Sequence, residues 1–179
     1  GLHVDPRRSA GVIGGREGNA MAAADSYEIK IIGTGGHGAR PHDGNDPVPV
    51  ACHLVTALQT MVTRRINVWD PIVLTVGVIK AGTARNIIPE FADMAVTLRS
   101  FSEEARDLAE RLITNMAEKT AEAHGMTAEV KVTRGYPPTI NNGGFVDLVE
   151  TALTKNFGQG AFARDAHPRM GFEDFSFIL

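Results

Sequence analysis

The chain has 179 residues, 43% of them hydrophobic, which is enough to fill the core of one full domain or of a smaller domain with attachments and excludes a disordered tail. Its 18 basic and 21 acidic side chains are interspersed, and a formal net charge of -3 gives no electrostatic footprint for nucleic acid or an anionic membrane. One cysteine excludes an intrachain disulfide framework and suits a reducing, cytoplasmic setting.

No run of apolar residues is long enough to span a bilayer and no charged-then-apolar leader opens the sequence, so neither a membrane span nor a signal peptide is expected. The chain begins at Gly1-Leu2-His3 without a methionine and stops at Phe177-Ile178-Leu179 in mid-pattern, as a piece of something longer would. Residues 1 to 24 are rich in Gly, Ala and Arg. From Tyr27 to Ile32, Tyr27, Ile29 and Ile31 alternate with Glu28 and Lys30, the pattern of a half-buried strand. A glycine-rich stretch with two histidines follows, GTGGHGARPH at 33 to 42. Asp46 then caps a helix with Pro47 at its first position, and Val50, Leu54, Ala57, Leu58, Met61 and Val62 share one stripe that ends near Arg64 or Arg65.

Residues 72 to 79 are apolar and β-branched on both faces, and residues 91 to 99 alternate, which predicts two more strands. Ser102 caps a second helix with Glu103 and Glu104 in its first turn; Ala105, Leu108, Ala109, Leu112, Ile113, Met116 and Ala117 form its stripe before Gly125 stops it. Ala128, Val130 and Val132 make a last alternating strand. The order over 25 to 134 is strand, helix, strand, strand, helix, strand. That order predicts an α+β fold of the split βαβ, ferredoxin-like kind: an antiparallel four-stranded sheet with two helices on one face, plus incomplete flanking segments. Tyr136-Pro137-Pro138 opens a loop toward a short helix at about 145 to 157.

Several residues invite a chemical reading beside a plain one. His37 and His42 are five apart in a glycine-rich loop, so the one-face spacing of a helical zinc pair is absent and the plain alternative is two surface histidines in a tight turn. A third possibility is that bare backbone admits a ligand while a histidine donates to developing negative charge. GTGGHG lacks the GxxxxGK[ST] pattern of a phosphate cradle. Cys52 and His53, neighbours on a helix, point about 100° apart and read as structural. His124 in the last turn of the second helix reads as a cap, and His167 carries no pattern. Asn86, in GTARNIIPE, is either a turn former or an amide presented at one end of the sheet; Arg99 is either a solvated charge or a carboxylate binder. Glu173 and Asp174 among aromatics are either carboxyls with raised pKa or a helix start.

Seven strings in order, LHV at 2 to 4, MAAAD at 21 to 25, GTGGHGARPH, AGTARNIIPE at 81 to 90, TLRSF at 97 to 101, RGYPPTIN at 134 to 141 and MGFEDF at 170 to 175, resemble the peptidase M20 family. The similarity is to its amidohydrolases of N-acyl amino acids, among them hippurate and auxin-conjugate hydrolases. The resemblance implies a catalytic domain with two divalent metals, Zn, Mn or Co, interrupted by a lid that dimerises. On that basis residues 1 to 24 are a catalytic-domain stub, 25 to 134 the lid, and 135 to 179 a partial return to the catalytic domain. It implies His3 as a metal ligand, His37 as the lid histidine that steadies the oxyanion in a partner's site, and Asn86 and Arg99 as substrate contacts, with His42 in the same motif as His37.

The family's Cys-x-His and Glu-Glu segments and its final metal histidine are absent, so this chain alone is expected to be inactive; Phe172 stands where the family usually has a small residue. The expected partners are a small N-acyl amino acid and a second copy of the chain. The competing reading is a non-catalytic split βαβ module that binds a small ligand or a protein. An RNA-binding module of that topology is disfavoured, because the central strands offer Val, Thr, Ala and Arg where stacking aromatics are needed.

Overall fold

The computed structural model describes residues 3–179, and they divide into two compact units, residues 25–135 and a second unit formed by the segments before and after them. The 25–135 unit is built on a four-stranded sheet. Its strands are β3 (Ala23–Ile32), β5 (Val73–Ala81), β7 (Phe91–Ser100) and β8 (Thr127–Arg134), ordered β5-β7-β3-β8. β3 and β8 pair antiparallel with Tyr27 opposite Val132, Ile29 opposite Val130 and Ile31 opposite Ala128. β5 and β7 also pair antiparallel, and their register slips between Val76 and Val78. Two short strands, β4 (Gly36–His37) and β6 (Ile87–Ile88), form a separate ladder.

Helices α1 (Pro47–Arg65) and α2 (Glu103–Glu122) begin at the caps their sequences signal. The Asp46 carboxylate accepts from the Val48 amide at 3.0 Å, and the Ser102 hydroxyl accepts from the Ala105 amide at 3.0 Å. Gly125, at φ +68°, takes the left-handed conformation that closes the second helix. Val50, Leu54, Leu58 and Met61 of α1 and Ala105, Ala109, Ile113, Ala117 and Ala121 of α2 share one buried cluster with Tyr27, Ile29, Ile31, Met94, Val96 and Leu98. At about 1.5–3 kcal/mol for each large side chain, this cluster supplies the main drive for the unit to fold.

The small residues on α2 explain a departure from the expected stripe. Ala105, Ala109, Ala117 and Ala121, spaced at multiples of four around Ile113, let α2 sit close to the sheet, so Leu108, Leu112 and Met116 fall to its flanks and are only half-buried. β5 reads as apolar on both faces, yet it is an edge strand with Leu74 inside and Val73, Val78 and Ile79 exposed.

The other unit has its own short pairings. β1 (Ile13–Gly15) runs parallel to β10 (Phe162–Arg164), and β2 (Gly18–Met21) runs antiparallel to β9 (Thr139–Asn141). Helix α3 (Gly143–Phe157) starts two residues before the expected position because Asn142 caps it, accepting from Gly144 at 2.9 Å. No helix among the described residues is long and apolar enough to cross a membrane.

Candidate functional site

The glycine-rich loop is strapped to the 86–90 segment by backbone alone. Gly33 donates to the Glu90 carbonyl at 2.8 Å, Gly38 donates to the Asn86 carbonyl at 2.8 Å, and between them β4 pairs with β6, His37 facing Ile87. Thr34 and Asn45 exchange two bonds of 2.9 Å that close the far side of the loop. This packing accounts for Gly33 and Gly38. A Cβ on Gly33 would lie 2.2 Å from the Asn45 carbonyl oxygen, and one on Gly38 would lie 3.1 Å from that of Asn86. Bare backbone is needed first for the loop to close on its neighbours.

His37 is exposed at the end of this ladder, and the Ala39 amide donates to its Nδ1 at 3.1 Å. An acceptor Nδ1 carries no proton, so the neutral ring bears its hydrogen on Nε2, which has no partner among the described residues. The loop thereby fixes one tautomer and displays an N–H donor to the outside. Asn86 is exposed in the residue before β6, its carbonyl holding Gly38 and its side-chain amide without a partner among the described residues. The structure therefore brings His37 and Asn86 to one ladder end. Beside it lies a cleft of about 570 Å³ walled by Gly38, Pro41, Asp46, Arg85, Ile87 and Pro89 among others, which neither His37 nor Asn86 lines. The pair faces outward instead of into that cleft.

His42 sits in a 3₁₀ turn (Pro41–Asp43) with Nε2 3.5 Å from the Asp43 carboxylate, which Arg40 also holds at 2.7 Å. Arg99 lies elsewhere. It is the ninth residue of β7, opposite Val73, so it stands about 30 Å along the strand from Glu90, where the histidine loop is attached. It is half-buried; desolvation lowers its pKa and the Asp25 charge opposes that shift. Within one chain, Arg99 does not share a small-molecule site with His37 and Asn86.

In the other unit His3 Nδ1 contacts the Glu173 carboxylate. A hydrogen bond from the neighbouring Asp174 carboxyl, reinforced by His3, brings Glu173 down to about 2, and Asp174 is raised by the same partnership. Two adjacent carboxyls are thus pushed apart by each other more than by the aromatic setting. Phe172 stacks on Tyr136 at 4.9 Å between centroids, with Phe177 against the same ring at 5.5 Å, so the bulky residue in MGFEDF has an aromatic partner. Among the described residues no three His, Cys, Asp or Glu side chains gather as a metal site. His3 and Glu173 form a two-donor pair, short of a complete ligand set.

One buried polar centre lies outside the residues that the sequence motifs mark. Arg106, beside the apolar stripe of α2, is 4% exposed and Asp25 is 2% exposed. The guanidinium grips the carboxylate through Nε at 2.7 Å and Nη2 at 2.5 Å. Nη2 also reaches the Gly135 carbonyl at 3.2 Å, and the Gly135 amide donates to Asp25 at 3.0 Å. The clamp thus ties together the first and last residues of the unit. A charged residue on a helix normally reads as solvated, and the one sequence signal for Arg106 is its place beside Ala105 and Ala109 of the apolar stripe.

Residues 20–125 match the family model described as the peptidase dimerisation domain of M20. The chain belongs to the M20 peptidase family. It is similar, at 36% identity over 179 residues, to the N-acetyl-L-cysteine deacetylase of Bacillus subtilis, covering all of this chain and 42% of that protein. It is similar, at 34% identity over 163 residues, to the hippurate hydrolase of Campylobacter jejuni, covering 91% of this chain and 43% of that one. Among solved structures, a dinuclear metal-binding M20 peptidase of Bacillus subtilis matches 98% of the chain and 43% of its own length with a TM-score of 0.76 at 30% identity. The chain thus spans less than half the length of these M20 relatives.

Proposed function

We propose that this chain is the lid of an M20 amidohydrolase that cleaves the amide bond of N-acyl amino acids, carried with short segments of the catalytic domain. Residues 25–134 are the split βαβ lid through which two copies pair; residues 1–24 and 135–179 belong to the catalytic domain. The whole enzyme holds two divalent ions, Zn, Mn or Co, and works in the cytoplasm. His3 contributes one ligand, and the described residues do not complete the set.

The observation that carries the reading is His37: an exposed imidazole on a strapped loop, its tautomer set so that Nε2–H points outward. Amide hydrolysis builds negative charge on the carbonyl oxygen as water adds, and a fixed neutral donor stabilises that charge without rearranging at the moment of reaction. Asn86 at the same ladder end offers an amide to the substrate, with His42 nearby in the motif. Arg99, about 30 Å along the strand, suits the carboxylate of a substrate in a different centre from the one His37 serves. Such a split fits a dimer in which each active centre draws on both lids.

The experiment is hydrolysis of N-acyl amino acids by the full-length enzyme loaded with zinc, manganese or cobalt, compared with His37→Ala. Loss of the donor is expected to lower kcat by about 100- to 1,000-fold while the protein remains folded and dimeric. Unchanged turnover would remove His37 from the reaction.

A further inference from the structure

The lid carries a second pair of histidines that the proposed reaction does not use. His53 projects from α1 and His124 from the turn that ends α2; both are exposed, and their ring centroids are 5.6 Å apart at a tilt of 48°. We propose that these two imidazoles form a chelating site for a borderline divalent ion, Zn²⁺ or Cu²⁺, on the outer surface of the helix pair.

The spacing is the first support. Two imidazoles bound to one tetrahedral ion through Zn–N bonds of about 2.0 Å place their ring centres about 5 Å apart, and the observed separation is within a rotamer adjustment of that. Protonation is the second. His124 Nδ1 lies 2.9 Å from the Thr120 carbonyl oxygen, which can only accept, so Nδ1 carries the proton and the neutral ring's Nε2 keeps its lone pair. A ring N–H given to a backbone carbonyl is one of the usual ways a metal-ligating histidine is oriented. The third is rigidity: the Asn45 side chain donates to the His124 carbonyl at 2.9 Å and to that of Gly125 at 3.2 Å, so the backbone under one ligand is pinned before any ion arrives. Among the described residues neither ring is committed to a carboxylate: Glu122, the nearest acid in sequence to His124, is held by Lys119 at 2.6 Å. Water completes the coordination, since no third donor joins among the described residues.

The site is tested on this chain in a His3→Ala background, so that the donor pair of His3 and Glu173 does not contribute. Zn²⁺ and then Cu²⁺ are titrated calorimetrically, with Mg²⁺ as a hard-ion control, into that protein and into its His53→Ala, His124→Ala and doubly substituted forms. Both side chains are exposed, so the variants fold. Chelation predicts that either single substitution weakens the site at least about 10-fold, that the double substitution weakens it no further, and that Mg²⁺ gives no heat. Zn²⁺ should also raise Tm by about 5 °C or more at a 100-fold excess over Kd, and only when both rings are present. Single substitutions that leave the isotherm unchanged, or that each remove half of what the double removes, would overturn the site, because the rings would then act independently.

Discussion

Arg106 and Asp25 place opposite charges where water cannot reach them, and each makes the other tolerable. Removing one leaves an uncompensated buried ion. Arg106→Met or Asp25→Leu should therefore cost about 3–5 kcal/mol, whereas the two combined should cost less than the sum of the single losses, because no charge is stranded. Urea denaturation of the four proteins measures this, and additive losses would show that the pair is not coupled. Tyr27 presents the neutral version of the problem. Its ring is 1% exposed and its hydroxyl has no protein partner among the described residues. Burial, aided by the charges of Asp25 and Glu110, raises its pKa above the usual phenol value. The unfolded chain ionises this group from about pH 10 while the folded chain resists, so its contribution is complete below that pH and is lost as pH climbs further. Tyr27→Phe should be close to neutral in stability at pH 8 and should weaken the alkaline loss seen from pH 10 to 11 in denaturant midpoints; an identical alkaline loss would remove Tyr27 as its source.

At the scale of elements, the 33–44 loop depends on particular glycines and not on glycine content. Gly33 has a carbonyl oxygen 2.2 Å from where a Cβ would stand, whereas the nearest atom at Gly36 is an ordinary 3.7 Å away. Gly33→Ala should accordingly disrupt the strap at a cost of about 1–3 kcal/mol and speed hydrogen exchange at the Gly38 amide, while Gly36→Ala leaves both unchanged. Equal effects of the two would mean that the loop is held in some other way. The contrast also marks what the sequence makes legible. The alternation around Tyr27, Ile29 and Ile31, the caps at Asp46 and Ser102 and the stop at Gly125 are local signals, and the long elements follow them. The β4–β6 ladder is two residues long on each side and joins segments fifty residues apart, so no periodicity announces it. The same reason hides the tautomer of His37, set by an amide two residues on, and the distance of Arg99 from Asn86, which depends on which way β7 runs from the loop.

For the whole molecule, the proposed pairing of two copies needs a surface. The sheet has two edges, and they differ in chemistry. β8 presents Glu129, Lys131 and Arg134 to solvent, charges that oppose strand addition, and Lys131 is joined to Glu28 at 3.1 Å across the ladder. β5 presents Val73, Val78 and Ile79 with 41%, 40% and 47% exposure, and carries its register slip beside Gly77. An edge with apolar side chains and unpaired backbone groups is suited to a two-fold contact in which each copy offers the same strand. Val78→Lys with Ile79→Glu should then convert the proposed dimer to monomer in sedimentation velocity with little loss of stability in the 25–135 unit, since both side chains already face water. Because the proposed use of His37 requires a second copy, the same change should reduce hydrolysis by the full-length enzyme about as far as His37→Ala does, and a monomer with full activity would separate catalysis from pairing.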